Sequence, residues 1–209
     1  MYKVSIKPEE MEKLPLASFS GEIQVIDKVG LKYFKALDYL NRQQVIGFDT
    51  ETRPSFNPTQ KSNGVSLLQL SGPDKAFLFR IKTLGMTPRL CRLLASEKIA
   101  KVGAATADDV RGLQRYAKFK AASFIDLQKI VWEYGIKDKS VKKMAAIIMG
   151  FRISKTQQLS NWEAPELSEA QKKYAATDAW VCREMYLKLL ASERHPLDAE
   201  ELMPSQQQQ

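Results

Sequence analysis

Apolar residues follow two periods along this chain, and the period switches between strand and helix several times. In 21–27 (GEIQVID) apolar and polar positions alternate, which predicts an edge strand. In 31–43 (LKYFKALDYLNRQ), Leu31, Phe34, Leu37, Tyr39 and Leu40 recur mostly at helical spacing. The run 45–50 (VIGFDT) is short and nearly continuous, as in a buried strand. Segments 65–71 (VSLLQLS) and 75–80 (KAFLFR) flank Gly72, Pro73 and Asp74, which predicts a hairpin. Residues 86–96 read as a helix with Pro88 in its first turn, where a missing N–H is tolerated. Residues 98–103 (KIAKVG) form a further short strand, and 108–116 a helix with Val110 and Leu113 three apart.

The segment 124–135 opens strand-like and passes into a helix that Gly135 can terminate. Residues 140–150 read as a helix capped by Ser140. The longest helix is 168–192, with Ser168 and Gln171 as an S-x-x-Q capping box. Two prolines and an asparagine mark 53–58 (RPSFNP) as a loop. Residues 1–20 show no clear period and read as a lead-in; 21–194 form one domain, and the polar tail 195–209 is expected to be disordered. Strands come early and helices later, with a hairpin before the βα alternation. That order predicts an α/β domain, a mixed sheet packed with helices. There is no internal repeat or linker.

Composition narrows the partners. The 209 residues, 44% hydrophobic and 27% charged, suit one sizeable domain. A net charge of +8 favours a polyanion. The basic residues are spread out, densest in 137–143, in 152–155 and at Lys172 and Lys173, a pattern that also fits solvated helix faces. Cys91 and Cys182 lie too far apart for a Cys-rich zinc site and read as inert, buried thiols of a reducing compartment. The single histidine, His195, stands before Pro196 and gives little to a histidine triad or zinc hydrolase. No apolar run has membrane-spanning length, and the N-terminus lacks a secretory run. The expected location is the cytoplasm, with the nucleus as the alternative in a eukaryotic source.

The candidate chemistry lies in three segments. Asp49 and Glu51 end the buried strand, and residues i and i+2 of a strand share a face, so both carboxylates can meet one hard cation while Thr50 points away. Alone, D-x-E favours water-facing acids; the preceding VIGF shifts the balance, because a strand buried to its end places these acids at a sheet edge. Asp109 enters a helix, where an acid also serves the helix dipole. Tyr174 and Asp178 are four apart and share one helix face, which a half-buried tyrosine and an exposed acid would also satisfy. Four carboxylates of this kind are what two divalent ions need for in-line attack on a phosphodiester.

The segments FDTET (48–52), VSLLQLS (65–71), KVGAATADDVRGL (101–113) and LSNWEAPELSEAQKKYAATDAW (159–180) together resemble the DEDD superfamily of 3′–5′ exonucleases. Tyr174 points to its DEDDy branch, the RNase D and Werner-type exonucleases. The S-N-W, L-S-x-x-Q and Y-A-A-T-D-A block is the most specific match. In the second motif the acid is followed four residues later by an apolar residue; Asp109 with Leu113 fits, so Asp109 is taken rather than Asp108. The family often has histidine or asparagine where this chain has Ala105. The resemblance spans residues 22–190. With His195 far beyond the third motif, the histidine branch fits poorly.

The resemblance implies a ribonuclease H-like fold, a central mixed β-sheet flanked by α-helices, and two Mg²⁺ or Mn²⁺ ions. Asp49 would bridge both ions. Glu51 and Asp178 would complete the site of the ion that activates water, and Asp109 would help hold the second. Tyr174 would orient the water, and the product would be a nucleoside 5′-monophosphate. Lys155 and Arg152 are candidate phosphate contacts, and Asn161 a hydrogen-bonding residue near the scissile end. Phe56 and Trp162 are candidates for stacking or packing; Leu67, Leu68 and Leu70 are core residues of which some can wedge against a base. The expected partner is nucleic acid, DNA or RNA, as a single strand or a duplex 3′ end. A catalytically inactive nucleic-acid-binding module of the same fold is the competing expectation, with an unrelated basic scaffold behind it.

Overall fold

The structure is a computed structural model that describes residues 1–54 and 64–198; the expected 53–58 loop beyond Pro54, with Phe56, and the tail beyond residue 198 lie outside the described residues. In chain order the elements are α1 (Pro8–Glu12), β1 (Glu22–Ile26), α2 (Leu31–Asn41), β2 (Val45–Thr52), β3 (Val65–Ser71), β4 (Lys75–Arg80), α3 (Ile81–Leu84), α4 (Pro88–Leu94), β5 (Ala100–Gly103), α5 (Thr106–Gln114), β6 (Phe124–Asp126), α6 (Leu127–Ile130), a 3-10 turn (Val131–Tyr134), α7 (Val141–Met149) and α8 (Glu169–Leu190).

The strands form one mixed sheet in the order β1-β4-β3-β2-β5-β6. β3 pairs antiparallel with β2 and with β4, as the hairpin signal predicts, while β1–β4, β2–β5 and β5–β6 are parallel. β2 is therefore central, and its side chains alternate between two helical layers. Ile46 and Phe48 join Leu68, Leu70, Phe77 and Phe79 in a core with residues of α2 and α4. On the opposite face α8 lies across the sheet, with Ala175, Ala176 and Ala179 fully buried. Local chemistry sets the helix ends. Ser168 and Gln171 form the expected capping box on α8, Ser140 caps α7 through the Lys143 amide, and Gly135 and Gly150 end their helices at φ +78° and +76°.

The two chain ends are more ordered than their patterns suggest. Ile6, Met11 and Phe19 of the lead-in are buried, the Ile6 amide bonds Asp138, and the Phe19 amide bonds the Thr177 hydroxyl. At the other end Leu197 is buried and its amide donates to the Trp132 carbonyl. Within the described part of the expected polar tail, Leu197 therefore packs against the domain. The buried Lys101 ammonium donates to the carbonyls of Ser96 and Ile99 at 2.6 and 2.7 Å, a structural use of that cation. Among the described residues no helix is long and apolar enough to cross a membrane.

Candidate active site

Alternation along β2 puts Gly47, Asp49 and Glu51 on the face that α8 covers. Gly47 has no side chain, so the α8 backbone at Ala179 comes down directly onto the strand. That contact places Asp178 over the two strand acids. Carboxylate oxygens of Asp49, Glu51 and Asp178 lie within 4.8 Å of one another. Asp49 and Glu51 are half-buried and Asp178 is 4% exposed. Just after Glu51 the β2–β3 register shifts, a bulge that re-aims the end of the strand.

Asp109 stands apart from these three. Thr50 points to the other face, as expected, and its hydroxyl donates to Asp109 at 2.5 Å. Asp108 lies on the solvent side, paired with Arg111. Ala105, the residue just before α5, adopts the left-handed conformation at φ 58° and donates its amide to Asp126.

Tyr174 lies one turn before Asp178 on α8 and is 6% exposed, its ring against Trp162. Lys155 completes the constellation. Its ammonium is 3.1 and 3.0 Å from the two oxygens of Asp178 and 3.4 Å from the Tyr174 hydroxyl. A cleft of about 200 Å³ opens here, lined by Asp49, Glu51, Tyr174, Asp178, Lys155 and Gln158 among others. A larger cleft of about 700 Å³ lies between Val25–Lys28 and Pro165–Leu167 and, among the described residues, contains no carboxylate cluster.

Crowding of like charges shifts the titrations. Burial, then Asp178, Glu51 and Asp109, holds the Asp49 carboxyl well above the ordinary range. Burial and Asp178 push Glu51 up to about 8. Asp178 is raised by burial, with Lys155 and Tyr174 pulling the other way. Asp109 rises to about 6 through burial, against the Thr50 hydrogen bond. The Tyr174 phenol is pushed up by burial and by the acids, so it stays protonated. Cys182 also lines the cleft, but burial raises its thiol well above its usual value, which leaves no reactive thiolate. Both cysteines are free; Cys91 is half-buried rather than buried. The donor set is all hard oxygen, and its mutual repulsion is what a divalent cation relieves, so the residues fit Mg²⁺ or Mn²⁺.

The expected nucleic-acid contacts fare differently. Trp162 and Leu68 are fully buried, so neither presents a surface to a base; Leu67 and Leu70 are also core. These positions pack because they point into the two layers beside the sheet. Arg152 donates its Nε to the Leu14 carbonyl and its backbone bridges to Leu16, which ties it to the N-terminal segment. The Asn161 side-chain oxygen accepts the Glu163 amide in a local turn. Lys155 alone of this group reaches the acids. Its link to Asp178, 23 positions away, had no local sequence signal.

A family profile described as 3′–5′ exonuclease matches residues 30–192, well over half of the chain. The chain belongs to this 3′–5′ exonuclease family. It is 30% identical over 187 residues to the mouse bifunctional 3′–5′ exonuclease/ATP-dependent helicase WRN, covering 85% of this chain but 13% of WRN. The exonuclease-family fold is shared with the Aedes aegypti Nibbler EXO domain, with a TM-score of 0.70 at 22% identity over 84% of this chain and 91% of that one. It is shared too with Trypanosoma brucei RNase D, solved in complex with RNA U12, with a TM-score of 0.70 at 20% identity over 84% and 64%. The six-stranded mixed sheet with flanking helices is the ribonuclease H-like fold.

Proposed function

We propose that this exonuclease-family chain is a DEDDy-type enzyme that hydrolyses nucleic acid from the 3′ end, releasing nucleoside 5′-monophosphates with two Mg²⁺ or Mn²⁺ ions. The observation that carries this reading is the convergence of Asp49, Glu51 and Asp178 within 4.8 Å beside the Tyr174 hydroxyl. Bound divalent ions would lower the pKa of an attacking water and stabilise charge on the leaving oxygen. Asp49, which feels the charges of Asp178, Glu51 and Asp109, would offer oxygens to both ions. Glu51 and Asp178 would hold the ion on the water side. Asp109, fixed by Thr50, would serve the second ion from the rim. The protonated Tyr174 hydroxyl would orient the water, since a phenol held neutral is a hydrogen-bond donor at working pH. The net charge of +8 supports an anionic substrate, as does the RNA complex of RNase D. DNA and RNA both fit, because the contacts that would read a 2′-hydroxyl are not set by these residues.

The test is nucleotide release by wild type and Asp49→Ala, with oligonucleotide binding measured alongside. Loss of release with binding retained supports the reading. Full activity in Asp49→Ala overturns the mechanism, and binding without release in the wild type would favour the inactive module.

A further inference from the structure

The proposed reaction leaves Lys155 without a part, yet its ammonium meets the acids directly. It reaches both oxygens of Asp178, at 3.1 and 3.0 Å, and lies 5.3 Å from the centre of the Tyr174 ring. A divalent ion held by Asp49, Glu51 and Asp178 needs at least one of those Asp178 oxygens. The ammonium and the ion would therefore claim the same atoms, and at this separation two cations repel strongly.

The surroundings suit a side chain that can withdraw. Lys155 lies in the irregular segment between α7 and α8, and the backbone on its N-terminal side is fixed. The Arg152 amide donates to the Pro15 carbonyl and the Ala17 amide to the Arg152 carbonyl, each at 2.9 Å. The side chain itself is 29% exposed, whereas that of Asp178 is 6% exposed. A flexible four-carbon stem can carry the charge toward water while the carboxylate stays in place.

We propose that Lys155 is the built-in counter-cation of this site: it neutralises the carboxylates when no divalent ion is bound, and it competes with that ion for Asp178. This inference rests on the reading of the three carboxylates as a metal site. It follows that the lysine weakens metal affinity while it supports the metal-free fold, because it separates like charges that would otherwise face each other unshielded. Arginine at this position would keep both effects, and a neutral side chain of similar length would lose both.

The experiment is calorimetric titration of Mn²⁺ into the full chain, for wild type, Lys155→Met and Lys155→Arg, with thermal melting of each in EDTA. Lys155→Met is expected to bind Mn²⁺ roughly tenfold more tightly than wild type or Lys155→Arg. Its melting temperature in EDTA is expected to fall below both. Lys155→Gln provides the same comparison if the methionine variant fails to fold. A wild-type Mn²⁺ affinity equal to or higher than that of the neutral variants overturns the inference and leaves the metal site standing. Absence of Mn²⁺ binding in all of the proteins overturns the metal site itself, and the inference with it.

Discussion

Gly47 lies directly beneath Ala179, and a Cβ on the glycine would come within 1.8 Å of the Ala179 carbonyl oxygen. The obstacle is backbone, so no side-chain rotation relieves it. Gly47→Ala is expected to push α8 off β2, separate Asp178 from Asp49, and destabilise the fold by about 1–3 kcal/mol. Chemical denaturation measures the stability, and Mn²⁺ titration of the variant measures the site.

Removing a charge from the cluster is expected to trade activity for stability. Asp49 is raised by burial and by three neighbouring acids, so Asp49→Asn relieves repulsion in the metal-free protein. The expected gain is on the order of 1 kcal/mol. Nucleotide release is expected to drop by at least about a hundredfold, since a ligand to both proposed ions is weakened. Melting in EDTA and release assays on the same preparation check the two halves together.

The raised carboxylates set the sign of the pH dependence. Glu51 titrates near 8 in the fold against an ordinary value of 4.5, and Asp49 and Asp178 are raised as well. The folded protein then holds protons that the unfolded chain releases, so this contribution to stability is complete below about 4.5 and is lost as pH rises through about 8. In EDTA the melting temperature is expected to fall between those values; saturating Mn²⁺ is expected to flatten or reverse the trend. A metal-free melting temperature that climbs over this window would contradict the assigned burial.

Much of this site is visible in the chain because its parts are local. Asp49 and Glu51 share a face by strand period, Tyr174 and Asp178 by helix period, and Ser168 with Gln171 starts the helix that carries the second pair. The hairpin at Gly72–Asp74 and the central strand 45–50 were equally legible. What stayed hidden depends on contacts between distant segments. The burial of Ile6, Met11 and Phe19 has no period, because each residue packs from an irregular strap or a single helical turn. Lys155 meets Asp178 through a loop, and Asp109 turns to Thr50 across the sheet end; the packing read for Leu68 and Trp162 is what the layers show, and their offered role against a base is what fails.

The backbone at Ala105 carries a stability consequence. Its φ of 58° is costly for alanine and easy for glycine or asparagine. Ala105→Gly is expected to stabilise the protein by about 0.5–1 kcal/mol, the left-handed cost less the extra chain entropy of glycine. Equilibrium unfolding in urea checks it. Destabilisation would mean that the methyl group makes a contact worth more than the backbone cost.

The central claim is most directly tested on a gel, with 5′-labelled single-stranded and 3′-recessed DNA beside matched RNA, in Mg²⁺, Mn²⁺ or EDTA. A ladder that shortens from the 3′ end with either metal and vanishes in EDTA is the expected result, and its relative rates rank the substrates. Intact oligonucleotides in both metals, with binding retained, would contradict the claim and leave a nucleic-acid-binding domain of exonuclease fold.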